Sequence, residues 1–375
     1  MSWEKGRILS NVFYSKVSLT QCVGEFKHCQ HWFNRARMLP FMVRKCSEEP
    51  LGEREMIEII QRRLEVMPRM PVPFGDDVSA CDLGSGRVAV LKTDMLVDRT
   101  DVPKGMSLWQ AARKAVVMNV SDFAAKGVQP LALLVSLGMP ASVSRKEVEE
   151  IADGLNAGAR EYGAYVVGGD TGEASDVVIS VSVFGVAVKD KLMLRSGARP
   201  GDVVAVTGFF GRSSAGLKIL LGKFDVEPKI RRGLVESALM PHARLREGLA
   251  LGKSGAVSAS IDSSDGLAWS LHEIARASNV GFLLDMLPVA EEVQEFAKAN
   301  RLDALDLTLY GGEEYELVVT IKPRLYKKAE EAIAKAGGAL IRIGSVTAEK
   351  DMVLMTEGKK CVIEPRGYEH FKDIH

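Results

Sequence analysis

A chain of 375 residues exceeds what one hydrophobic core usually organises, so two domains and an appendage are expected. Lysine plus arginine equals aspartate plus glutamate, 49 against 49, and no basic stripe stands out, which argues against nucleic acid as a partner. No apolar run of about 18 residues and no secretory-signal pattern occurs, so a cytoplasmic chain with reduced thiols and no membrane span is expected.

In chain order, residues 1–50 show little helical periodicity and read as a poorly ordered leader, an upstream extension ahead of Met38 or Met42. Cys22, His28, Cys29, His31 and Cys46 fall there, but their spacing does not match the paired zinc signatures. From Glu53 to Met67 the residues Met56, Ile60, Leu64 and Met67 recur at helical spacing, and Pro68, Pro71 and Pro73 then break the pattern. A strand from Val78 and another from Arg87 to Thr93 flank Leu83-Gly84-Ser85-Gly86, a hairpin signal. Ser107 is placed to cap a helix running to Lys126, with Gly127 closing it. Leu131 to Met139 reads as a buried strand, and Ser144 to Tyr162 as an amphipathic helix.

Strands at Ala164–Val167 and Val177–Val188 enclose Gly168-Gly169-Asp170-Thr171-Gly172, which reads as a polar loop. A turn-rich stretch begins at Arg195, and a domain boundary is set just ahead of it. Beyond it strands and helices alternate at Val203–Thr207, Ser214–Leu221, Val257–Ile261, Leu267–Ala277, Phe282–Leu284 and Tyr315–Ile321, the pattern of an α/β or α+β layered domain.

Asp77, Asp94, Asp122, Asp170 and Asp262 carry the chemical signal. Four fall where an expected strand ends or turns, and Asp122 lies inside the long helix. Singly each has a structural reading: Asp122 can pair with Lys126 one turn on, and Asp265 can cap the helix that follows Gly266. Together they have too few basic neighbours for ion pairing to explain all of them, and hard oxygen ligands in that number suit Mg2+ beside substrate phosphates. Gly168–Gly172 and Gly208-Phe209-Phe210-Gly211-Arg212-Ser213-Ser214 are candidate phosphate cradles, the second opening a helix. Neither matches a Walker A or dinucleotide fingerprint, and Arg195 is a candidate phosphate contact.

Six segments then occur in order: Phe74-Gly75-Asp76-Asp77, Thr93-Asp94-Met95-Leu96-Val97, Asn119-Val120-Ser121-Asp122, Gly168-Gly169-Asp170-Thr171, Ile261-Asp262-Ser263-Ser264-Asp265-Gly266-Leu267 and Gly311-Gly312-Glu313-Glu314-Tyr315-Glu316-Leu317. In them the chain resembles the thiamine-monophosphate kinase family, of the aminoimidazole ribonucleotide synthetase-like superfamily, over about Leu51 to Phe371. The resemblance implies an α+β, two-domain fold: an N-terminal ATP- and metal-binding domain over 51–189, whose mixed sheet forms a β-barrel in a homodimer, and a C-terminal α/β layered domain over 190–375. It implies several Mg2+ ions on Asp77, Thr93, Asp94, Asp122, Asp170, Asp262 and Asp265. ATP contacts are implied at Gly169, Asp170, Arg195 and Ser264, and contacts to thiamine monophosphate at Glu313 and Tyr368. Three positions depart from the family: Lys92 stands where many relatives have serine or threonine, Asp101 where some carry a substrate-binding histidine, and Glu314 where aspartate is usual.

The implied reaction is direct transfer of the ATP γ-phosphoryl group to thiamine monophosphate, giving thiamine diphosphate. No general base is needed, because a phosphate monoester with a second pKa near ~6 is already largely dianionic. His242 and His272 accordingly read as ordinary helix residues. The alternatives are a sister enzyme such as aminoimidazole ribonucleotide synthetase, and a nucleotide-sensing module without turnover, which Lys92 encourages.

Overall fold

The computed structural model describes residues 51–371, apart from Lys223 and Glu357. The leader readings, including Cys22, His28, Cys29, His31 and Cys46, lie outside the described residues.

The first described helix, α1 (Glu53–Gln61), ends at Gln61 rather than Met67 and buries no residue. The hairpin follows as expected: β1 (Ser79–Gly84) pairs with β2 (Arg87–Val97) through a turn in which Gly84, Ser85 and Gly86 all have positive φ. A one-turn helix, α2 (Asp98–Asp101), leads to α3 (Leu108–Lys126). Ser107 caps α3 in a reciprocal capping box with Gln110, and Gly127 ends it at φ 67°, a left-handed conformation that costs glycine little.

Then come β3 (Pro130–Met139), α4 (Arg145–Glu161), β4 (Tyr165–Glu173) and β5 (Val178–Val188). These strands form a mixed sheet in the order β1-β2-β5-β3-β4, with only β3 and β4 parallel.

Two sequence expectations change here. Gly168–Gly172 is not a loop: β4 runs straight through it as an edge strand, exposed along its whole length. Gly169 is needed for this pairing, since a Cβ there would lie 1.9 Å from the Val135 carbonyl oxygen. Nor is β3 buried on both sides. Leu133 and Val135 are buried, whereas Leu134 is 54% exposed. The same alternation leaves Leu91, Met95 and Phe184 exposed on neighbouring strands, so one sheet face is apolar and uncovered among the described residues.

The second sheet draws on residues 203–362. Its elements are β6 (Val203–Val206), α5 (Arg212–Leu221), α6 (Pro228–Leu239), α7 (Leu245–Ser254), β7 (Val257–Asp262), α8 (Leu267–Ser278) and β8 (Gly281–Leu284), followed by α9 (Glu291–Asn300), α10 (Ala304–Tyr310), β9 (Leu317–Ile321), α11 (Tyr326–Lys335), β10 (Ile341–Thr347), β11 (Met352–Thr356) and β12 (Lys359–Val362). The strand order is β12-β11-β8-β10-β6-β9-β7.

Helix α3 joins the two halves. It packs against β2 and β5 on one side and against α7 and β7 on the other, with Val116, Val117, Val120, Phe123 and Ala124 fully buried. Helix α3 is buried over most of its length, and it carries Arg113, Lys114, Asp122 and Lys126 inside with its apolar residues. No described helix is long and apolar enough to cross a membrane.

Candidate active site

Three chain segments converge where α3 meets both sheets. Asp77 precedes β1, Asp122 lies in the last turns of α3, and Asp262 ends β7. All three are buried, and each offers a carboxylate oxygen within 4.8 Å of the others. Asp94, on β2, joins through Lys92, whose Nζ lies 3.0 Å from Asp94 Oδ1 and 3.0 Å from Asp122 Oδ2.

The other end of the cluster is braced by two cations. Lys126, fully buried, reaches Asp76 Oδ1 at 2.6 Å and Asp77 Oδ2 at 2.7 Å, and donates to the Ser260 carbonyl at 2.9 Å. The pairing of Asp122 with Lys126 weighed from sequence therefore gives way: Lys126 serves Asp76 and Asp77, and Asp122 pairs with Lys92. Arg195 donates Nε to Asp77 Oδ1 at 2.5 Å and Nη1 to the Gly75 carbonyl at 3.1 Å, and approaches Glu273 Oε2 at 3.4 Å.

Among the described residues the charges do not balance. Asp76, Asp77, Asp94, Asp122 and Asp262 give five carboxylates, while Lys92, Lys126 and Arg195 give three cations, and five minus three leaves two. Glu273 is compensated separately by Arg54 and Arg276. Titration follows this surplus. Burial pushes Asp77 up, but Arg195 and Lys126 outweigh it and hold its pKa below the ordinary value. Burial raises Asp122 well above the usual carboxylate range, with Lys92 opposing and Asp262 and Asp94 adding to the rise. Burial and the charge of Asp77 push Asp262 up to about 7, although Ser121 donates to its Oδ2 at 2.6 Å. Uncompensated carboxylates in a buried site are costly unless a proton or a metal ion joins them.

Glu313 and Tyr368, expected from the sequence to contact substrate, both hydrogen-bond to the loop after β7. The Ser264 carbonyl accepts from Glu313 N at 2.6 Å, and the Asp265 carbonyl accepts from Tyr368 N at 3.1 Å. Asp265 does not cap α8, whose N-cap is Gly266 without a side-chain bond. Burial, with the charge of Glu53, lifts Asp265 to about 6. Glu313 and Tyr315 both have positive φ, 65° and 53°, unusual for residues with side chains. Glu313 forms an ion pair with Lys114, which is buried in α3 and donates to the Asp101 carbonyl at 3.0 Å. His370 lies 3.9 Å from Asp101 and packs edge-on against Tyr368.

Some expected members stand elsewhere. Gly169 and Asp170 lie on the exposed edge strand β4, away from the buried trio. Gly169 shares a row with Asp94 across Val135 and Val181, three strand spacings or about 14 Å away. Thr93 hydrogen-bonds the Val181 carbonyl and Ser182. The helix N-terminus at Gly208–Ser214, read as a phosphate cradle, is already filled: Glu314 Oε1 accepts from Gly211 N at 2.8 Å and Ser213 N at 3.1 Å. His242 is not helical but lies between α6 and α7 beside Glu161, whereas His272 is in α8 and bonds the Ile363 carbonyl.

Sequence reasoning missed Lys114, Ser121, Glu273 and the first turn of α1. There Arg54 pairs with Glu273 at 2.8 Å and stacks 3.5 Å over Trp269, while Glu53 accepts from His370 N at 3.1 Å. Separations of 219 and 317 residues leave no local signal for such contacts.

Residues 75–187 match the family described as AIR synthase related protein, N-terminal domain, and residues 199–357 match its C-terminal domain. The chain is 37% identical over 324 residues to the thiamine-monophosphate kinase of Nitrosopumilus maritimus, covering 86% of this chain and 99% of that protein. It is 40% identical over 301 residues to the Pyrococcus horikoshii enzyme, covering 80% and 91%. Among solved structures it resembles AaThiL complexed with AMPPCP and TMP, with a TM-score of 0.74 and 29% identity, over 86% of this chain and 97% of that one.

Proposed function

The chain belongs to the thiamine-monophosphate kinase family of AIR-synthase-related proteins, and from that premise we infer that it transfers a phosphoryl group from ATP to thiamine monophosphate. The observation that carries the chemistry is the convergence of Asp77, Asp122 and Asp262, three buried carboxylates from three distant segments with too little positive charge around them.

The donor set fits Mg2+, a hard cation that prefers carboxylate oxygen and keeps company with substrate phosphates. When bound, Mg2+ offsets the repulsion between the triphosphate and the anionic acceptor. The protein side of the work follows from the residues. Lys126 and Arg195 fix the Asp77 carboxylate, Ser121 fixes Asp262, and the buried setting keeps water from dispersing these charges. Arg195, whose side chain remains 21% exposed, and Ser264 are the proposed nucleotide contacts. Glu313, held by Lys114, and Tyr368 are the proposed contacts to the cationic, aromatic thiamine group. No side chain needs to take a proton from the acceptor.

Thr93, Asp94, Asp170 and Asp265 complete the proposed ligand set for several ions. The proposed homodimer supplies a route for Gly169 and Asp170: the uncovered apolar face and edge strands of the first sheet close with a second copy into a barrel, placing these residues at a shared boundary. The reaction is assigned to the cytoplasm.

The test is incubation with ATP, Mg2+ and thiamine monophosphate, with products read by mass. Thiamine diphosphate and ADP are expected, with free thiamine a poor acceptor and no product after chelation of Mg2+. Nucleotide binding without product would instead favour the sensing reading.

A further inference from the structure

Lys92 is the residue that the proposed reaction leaves unexplained. Its side chain projects from β2 into the acidic cluster, where Nζ bridges Asp94 Oδ1 and Asp122 Oδ2 at 3.0 Å each. Two carboxylates from different elements meeting at one point describe a position for a bridging divalent ion. We propose that Lys92 is a built-in cation occupying one such position, so that this chain binds one divalent ion fewer than the same site with a neutral residue there.

Geometry carries the first part. Mg2+ holds carboxylate oxygens at about 2.0–2.1 Å, so it cannot share these two oxygens with an ammonium group already between them. Lys92 has little freedom to withdraw: its backbone is paired with Val183 in the interior of the sheet, and its side chain is only 21% exposed.

Charge balance carries the second part. With all five carboxylates ionised, as metal binding requires, five against three cations leave two negative charges, which one divalent ion at Asp77, Asp122 and Asp262 neutralises. Without the Lys92 ammonium three charges remain, and the Asp94–Asp122 pair becomes free to take a second ion. A lysine at this position therefore does not argue for lost turnover, because it supplies part of the positive charge that the proposed chemistry requires.

The inference rests on the metal-assisted reading above, and its test separates the two. Mn2+ binding to nucleotide-free protein is titrated by the resonance signal of the free ion, for the native chain and for Lys92→Ser and Lys92→Arg. One tight Mn2+ per chain is expected in the native protein, two in Lys92→Ser, and one in Lys92→Arg, which keeps the charge. Equal, non-zero counts in the native protein and Lys92→Ser would overturn the inference while leaving the metal site standing. No Mn2+ in either would defeat the metal reading itself. If Lys92→Ser does not fold, Lys92→Thr is counted in its place, and a count equal to that of the native protein would overturn the inference.

Discussion

Two acidic regions of this molecule differ in how their charges are answered. Along Glu313-Glu314-Tyr315-Glu316 every carboxylate has its own partner. Lys114 meets Glu313, two backbone amides meet Glu314, and Arg244 and Thr207 meet Glu316 at 2.5 and 2.7 Å. In the cluster of Asp77, Asp94, Asp122 and Asp262 the partners run out before the carboxylates do. Paired acids hold a segment in shape. Acids left in surplus, and buried, hold something that arrives from outside.

The contrast breaks most visibly at Asp262. Asp262→Asn should lower turnover by roughly 10²–10³-fold, in the range of losing one preorganised electrostatic group, while the metal-free protein melts no lower than the native one because a surplus charge has gone. Steady-state rates and a thermal melt in chelator check both halves. A marked fall in melting temperature would mean that the carboxylate is structural.

Glu316 should behave in the opposite way. Glu316→Ala leaves Arg244 and Thr207 without their partner and should cost about 2–3 kcal/mol in a denaturant melt, with turnover per folded molecule nearly unchanged.

Glu314 sharpens the contrast through pH. Burial and neighbouring Glu316 lift its pKa from 4.5 to about 8, against the two amides it caps. A carboxyl group with a raised folded pKa binds its proton more tightly when folded. Its stabilising contribution is thus complete below the unfolded value and is lost as pH rises towards about 8. Glu314→Gln keeps an acceptor for both amides without the charge. Relative to it, the native protein should lose stability between pH 5 and 8 at a rate on the order of 1 kcal/mol per pH unit, and a flat difference would remove this account.

The smallest effect is expected at the clip formed by α1. Arg54→Ala removes an ion pair and a cation–π contact, together worth about 1 kcal/mol, and should raise KM several-fold while kcat changes little. A fall in kcat at unchanged KM would place Arg54 in the chemistry instead.

Much of the architecture was legible because local chemistry and the final fold agree. Ser107, Gln110 and Gly127 announce the ends of α3 within their own turns. The hairpin after β1 is visible in its glycines. Convergence of Asp77, Asp122 and Asp262 was legible only through ordered motifs, since nothing near each residue points at the other two. Where reading failed, longer-range packing had overridden local signals. Gly168–Gly172 looks like a loop, yet β3 recruits it as a strand because Gly169 has no side chain to collide with Val135. The helix N-terminus after Gly208 looks open to phosphate, yet an acid a hundred residues later in the chain occupies it. Helical spacing ties Lys126 to Asp122, yet buried Asp76 and Asp77 claim it.

The central claim is that Asp77, Asp122 and Asp262 together hold a divalent cation at the reacting phosphates. Crystals grown with Mn2+ and a non-hydrolysable ATP analogue, measured for anomalous scattering, test it most directly. A peak bonded to all three carboxylates is predicted. Manganese found only on the nucleotide, with those side chains still paired to one another's neighbours, would contradict it.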